Sequence, residues 1–147
     1  MKRREAIKLT ALATLGVAVS ASACPSGSCD MDSKKNRKLM VPKDASNLTK
    51  GELKHTPQIT LGDTDANGYT LVEITVGQGG IIHPSTKGHW IDFISLYVDK
   101  KLVGKTELMA EISRGAAAFR VNLKSASYIT ANAGCNLHGI WTSTVKL

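Results

Sequence analysis

The 147-residue sequence predicts an all-β fold, an immunoglobulin-like seven-stranded sandwich of two sheets. Three observations predict it. From His55 onward, apolar and polar residues alternate in short runs, the period of a half-buried strand. Asp, Asn and Gly punctuate those runs where turns are needed. Helix-period apolar stripes are weak outside the first two dozen residues.

The strands follow in order. Thr56–Leu61 is the first. A turn marked by Asp65, Asn67 and Gly68 precedes Tyr69–Val76, which sets Val72, Ile74 and Val76 on one face. His89–Asp99 turns Ile94, Leu96 and Val98 inward, and Asp99, Lys100 and Lys101 make a tight connection to Leu102–Met109, so the pair reads as a hairpin. Ala116–Leu123, Ser127–Ala131 and Ile140–Leu147 complete the set.

Upstream of the strands the chain changes character twice. Arg3 and Arg4 precede Lys8 and a short apolar run, Leu9–Val19, that ends at Ala21, Ser22 and Ala23. This is the layout of an export signal over residues 1–23, with a twin-arginine opening, and it places the mature protein in the periplasm. An ordinary secretory leader carrying two arginines is the alternative. The run is shorter than the roughly 20 apolar residues that cross a bilayer. Residues 24–50 are rich in Ser, Asp, Asn and Lys, with charges at Lys34, Lys35, Arg37 and Lys38, and read as a linker or flexible arm. Cys24 stands where a lipid-modified cysteine follows a cut leader, which opens a lipid anchor as one fate. A loop disulfide with Cys29 is the other. Residues 51–147 form the single folded domain.

Composition narrows the function. The chain is 42% hydrophobic, 5% aromatic and 21% charged, as expected of a globular protein. Losing residues 1–23 removes Lys2, Arg3, Arg4 and Lys8 against Glu5, taking the net charge from +7 to +4. That modest positive field suits a small anion or an anionic surface. With no basic stripe interleaved with aromatics and no binding motif, nucleic acid is not an expected partner.

All four histidines, His55, His83, His89 and His138, lie in the strand-rich region. His55 opens the first strand in Lys54-His55-Thr56-Pro57. His83 precedes Pro84 on a loop, and His89 follows six residues later at the mouth of the most apolar strand. His138 lies three residues after Cys135, on a turn into the last strand. A Cys and a His at that spacing can present thiolate and imidazole to one metal from one turn. Four nitrogen donors and one soft sulfur exceed a closed tetrahedral zinc site and favour iron with one position open. Each histidine taken singly is more often structural, and a sandwich built for adhesion, with the His and Cys incidental, is the competing reading.

Residues 52–142 resemble the iron-binding domain of the superoxide reductases, the neelaredoxin and desulfoferrodoxin family. The resemblance rests on Lys54-His55-Thr56-Pro57, on His83-Pro84 with His89, on Trp90-Ile91-Asp92-Phe93-Ile94, and on Cys135-Asn136-Leu137-His138-Gly139-Ile140-Trp141. It implies a mononuclear non-haem iron, cycling between Fe2+ and Fe3+. His55, His83, His89 and His138 would be its equatorial ligands, Cys135 the axial sulfur, and the opposite face open to superoxide. It further implies one-electron reduction of superoxide to hydrogen peroxide, with Lys54 steering the anion and orienting a water that supplies protons. An external electron donor such as a rubredoxin-like or cytochrome protein is expected, and a homo-oligomer is in keeping with the family. The alternative is an exported iron or copper carrier without turnover. Longer members carry a second iron on four cysteines, for which this chain's three cysteines do not suffice. Members often have a glutamate directly before the lysine, where this chain has Leu53. On a strand, Glu52 would point to the opposite face and would not be a ligand. Trp90 and Trp141 are expected to pack around the metal as shields.

Overall fold

The structure is a computed structural model that describes residues 35–147. The leader, Cys24 and Cys29 lie outside the described residues. Eight strands and one helix follow in chain order: β1 (Leu39–Met40), α1 (Lys50–His55), β2 (Pro57–Thr64), β3 (Tyr69–Val76), β4 (Ile91–Val98), β5 (Lys101–Glu107), β6 (Ala116–Asn122), β7 (Tyr128–Cys135) and β8 (Gly139–Lys146). The all-β sandwich is as expected. A five-stranded sheet, ordered β1-β8-β7-β4-β5, faces a three-stranded sheet, ordered β2-β3-β6.

Alternation builds the core. Val72, Ile74 and Val76 point inward from β3, and Ile94 and Leu96 from β4. On β7 the inward positions are Ile129, Ala131, Ala133 and Cys135, all fully buried. The period of two therefore carries Cys135 onto the core face at the end of its strand, where its sulfur sits at the edge of the hydrophobic cluster. At the opposite end of the sheet the β4–β5 hairpin closes through Asp99 and Lys100, with φ of 44° and 71°. Both residues occupy the left-handed region that a two-residue hairpin turn requires. The Asp99 carboxylate accepts from the Ser127 and Tyr128 N–H groups and ties the hairpin to β7.

Two elements differ from the sequence expectation. Lys54 and His55 do not open a strand; they form the last turn of α1. Thr49 caps that helix by accepting the Glu52 N–H on its side-chain oxygen, while the Glu52 carboxylate accepts the Thr49 N–H at 2.8 Å, a reciprocal capping box. The second difference lies in residues 24–50, read as linker or arm. Residues 35–43 are docked: β1 pairs in parallel with β8, Leu39 opposite Ile140 and Met40 opposite Trp141. Arg37 and Lys35 ion-pair with the buried Asp92 on β4. No helix among the described residues is long and apolar enough to cross a membrane.

Candidate metal centre

Four separate pieces of chain deliver the expected ligands to one end of the sandwich. His55 arrives from the last turn of α1, which positions the ring by a 2.6 Å hydrogen bond between Nδ1 and the Gly51 carbonyl oxygen. His83 and His89 sit on the β3–β4 connection. That connection turns back sharply at Gly77, whose φ of +108° and whose missing Cβ, 2.3 Å from the Ile81 carbonyl oxygen, exclude any other residue. His83 Nδ1 donates to the Pro84 carbonyl oxygen at 2.8 Å, which leaves Nε2 as the free lone pair. Cys135 ends β7 and His138 occupies the turn before β8.

The donors converge. Nδ1 of His138 stands 3.0 Å from Nε2 of His55, 3.1 Å from Nε2 of His89 and 3.5 Å from Sγ of Cys135. The ligating atoms of His55, His89, Cys135 and His138 all lie within 4.8 Å of one another, a group that could hold a metal ion. His83 stands beside them, its ring 4.8 Å from that of His55 and 4.6 Å from that of His89.

The four rings make a closed square. Its sides, between ring centroids, are 4.8, 4.6, 4.7 and 4.7 Å in the order His55, His83, His89, His138, and neighbouring rings are nearly perpendicular at 72–76°. The His55–His89 diagonal is 5.9 Å, with the rings only 30° apart. Nitrogens about 2.1 Å from a shared ion stand about 3.0 Å apart along the edges of a square. The two measured edges, 3.0 and 3.1 Å, match that spacing. One hydrogen bond at most can involve Nδ1 of His138 as donor, so several lone pairs face each other at close range, an arrangement that a cation at their centre stabilises. Among the described residues the buried Nε2 of His83 has no hydrogen-bond partner, as suits a nitrogen that would hold an ion.

The electrostatics keep the nitrogens in their metal-binding form. Burial, with like-charge repulsion from the other imidazoles, depresses His83 to about 3 and His89 to about 4. His55 is lowered for the same reasons, partly offset by its bond to Gly51. Burial also raises the Cys135 thiol, against the pull of the His138 and Leu137 backbone N–H groups. A metal that takes the sulfur as thiolate must therefore displace its proton.

Packing residues hold this arrangement. Trp141 stacks on His55 with centroids 5.3 Å apart and donates from Nε1 to the His138 carbonyl oxygen, so it shields the ring as expected. Asn136, to which no role was assigned from the sequence, clasps two ligand-bearing segments together. Its Oδ1 accepts the Trp90 N–H at 2.9 Å and its Nδ2 donates to the Gly88 carbonyl oxygen at 2.8 Å, gripping both flanks of His89 from within the Cys135–His138 turn. Glu52 is absent from the donor group, but for a reason other than strand parity. It is buried on the helix, and its two carboxylate oxygens accept from Thr49 and from the Lys43 N–H. Those hydrogen bonds also hold its carboxyl below the ordinary range.

A family model described as desulfoferrodoxin matches residues 47–144. The chain belongs to the desulfoferrodoxin family. A superoxide reductase of Pyrococcus abyssi is 32% identical over 108 residues, covering 67% of this chain and 90% of that protein. A desulfoferrodoxin of Nitratidesulfovibrio vulgaris is 34% identical over 88 residues, 60% of each chain. Among solved structures, the one-iron superoxide reductase of Giardia intestinalis superposes with a TM-score of 0.56 at 29% identity, covering 64% of this chain and 98% of that one. All five candidate ligands fall inside the desulfoferrodoxin match, and the docked arm, residues 35–43, lies upstream of it.

Proposed function

We propose that the protein is a superoxide reductase, reducing superoxide by one electron to hydrogen peroxide and so detoxifying it. The square of imidazoles with a cysteine sulfur beside it, in a chain of this family, carries the reading. In it His55, His83, His89 and His138 hold a single iron through nitrogen and Cys135 holds it through sulfur; none of the chemistry of such a donor set is foreign to iron. A bound iron would supply the electron by passing from Fe2+ to Fe3+.

The chain's own residues do the rest. A cavity of about 700 Å³ is lined by His55, His89, His138 and Lys54, and Cys135 is not among its lining residues. The open approach is therefore on the imidazole side, where a small anion meets the Lys54 ammonium. Lys54 draws superoxide in and orients water, because each turnover consumes two protons as one electron is added. Cys135 would contribute thiolate electron density to a bound iron.

The leader supports export, by the twin-arginine route, to the periplasm, with Cys24 either lipid-anchored or paired with Cys29. The oxidised site is returned to the ferrous state by an external donor, for which a rubredoxin-like or cytochrome protein is suited. The decisive experiment pulses superoxide onto the ferrous protein. Stoichiometric peroxide with prompt oxidation of the iron supports the reading, and slow or absent oxidation replaces it with an iron or copper carrier. In parallel, the oxidised protein should show a thiolate-to-iron charge-transfer band that is lost in Cys135→Ser.

A further inference from the structure

The cavity over the imidazoles is closed on one side by the docked arm, which lies outside the segment matched to the family. Asn36, Lys38, Met40 and Lys43 all line it. The arm is held there by bonds along its whole length. The Asn36 N–H donates to the Asn136 carbonyl oxygen at 2.7 Å, and the Lys38 carbonyl oxygen accepts the Ile140 N–H at 2.8 Å. The Lys43 N–H donates to Glu52 at 2.9 Å, and Arg37 pairs with Asp92. Gly139 is cut to receive it. Its φ is +88°, and a Cβ there would come within 2.4 Å of the Lys38 carbonyl oxygen, so a side chain at this turn would push the arm off.

Apart from the Arg37 ion pair, these contacts use the arm's backbone, and the Lys38 and Lys43 side chains stay exposed. With Lys54 they put three lysines among the residues lining the cavity, against one acidic residue, Glu52. Two of the three come from the arm. We propose that the arm is a working wall of the active site, and that Lys38 and Lys43 attract small inorganic anions to the open face of the metal centre. This rests on the functional reading above for its substrate, and on the cavity alone for anion attraction. Charges within about a Debye length of a binding point, ~10 Å at 0.1 M salt, raise the local anion concentration, and added salt removes the effect.

The test separates the two. Azide, a non-reducible anion, is titrated into the oxidised iron-loaded protein and followed by its visible band, in wild type, in Lys38→Gln/Lys43→Gln and in the remote surface control Lys124→Gln. At about 10 mM ionic strength the double variant should bind azide about three- to tenfold more weakly, and the difference should close by about 0.5 M salt. Lys124→Gln should match wild type. The rate of ferrous oxidation by pulsed superoxide should follow the same pattern. Failure of the superoxide arm in every protein, with the azide pattern intact, removes the functional reading and leaves anion attraction standing. Equal azide affinity in wild type and double variant at low salt overturns the proposal. So does a weakening that persists at 0.5 M salt, which would mark a structural effect, or a wild type that takes up no azide.

Discussion

Replacing Asn136 with Ala removes one buried amide that grips the segments on either side of His89. The Trp90 N–H, on a residue only 7% exposed, loses its Oδ1 acceptor, and an unpaired buried donor costs about 1–3 kcal/mol. The Gly88 carbonyl oxygen sits on an exposed residue, so water takes the place of Nδ2 and that loss is nearer about 0.5 kcal/mol. A destabilisation of about 1.5–3.5 kcal/mol of the metal-free protein in urea follows. The larger consequence is at the metal. Asn136 fixes the distance between His89 and the Cys135–His138 turn, and loss of a supporting partner of this kind costs about 10–100-fold in metal affinity. Affinity is read by competition with a chelator, and the visible band of the oxidised iron form reports on the sulfur. Asn136→Asp keeps an acceptor for Trp90 but sets its second carboxylate oxygen against the Gly88 carbonyl oxygen, so it should recover little of the stability. Unchanged metal affinity in Asn136→Ala, alongside the expected loss of stability, would refute the clasp and leave Asn136 a residue of the fold alone.

Three other outcomes follow from the same geometry. His83→Leu removes the orphaned Nε2 and one part-buried hydrogen bond together, so stability of the metal-free protein should change by less than about 1.5 kcal/mol while iron affinity falls at least about 100-fold, measured by urea melts and metal analysis. Metal-free protein should be most stable between about pH 6.5 and 8, below the range in which the unfolded Cys135 thiol ionises, and lose stability steadily as pH falls toward 4 and then 3. In that window the unfolded chain takes up protons that folded His89 and His83 refuse, and urea midpoints against pH should slope upward across it. A flat profile there would contradict the burial argument. Gly134→Ala places a Cβ 2.2 Å from the Phe93 ring and 2.8 Å from Asp92 Oδ1 beside Cys135, an overpacking worth about 1–3 kcal/mol that should lower the melting temperature by roughly 4–15 °C.

The strands were legible because alternation is a local property. Val72, Ile74 and Val76 face the core as their spacing requires, and the hairpin turn at Asp99 and Lys100 lies where its residues indicate. The start of the site was misread at Lys54 and His55, where Thr49-Lys50-Gly51-Glu52 spells a capping box that signals a helix. That motif also explains Glu52: its carboxylate is spent on Thr49 and Lys43, a fact that strand parity reached by the wrong route. The arm was misjudged because composition reports solubility. Docking of residues 35–43 depends on partners about a hundred residues away, at Asn136 and Ile140, that no local pattern reveals.

By itself the sequence supplied the candidate donors, four histidines and a cysteine near turn residues, and the alternation that builds two sheets; its strand ended at Ala131, and the extension of β7 that buries Cys135 came from the structure. Tertiary structure alone decided that these donors form a square, which of them face the cavity and what walls it. Such distances arise from long-range pairing of β7 with β4 and β8 and from the arm lying on β8. Contacts of that kind are set by packing across the fold, where residues far apart along the chain become neighbours.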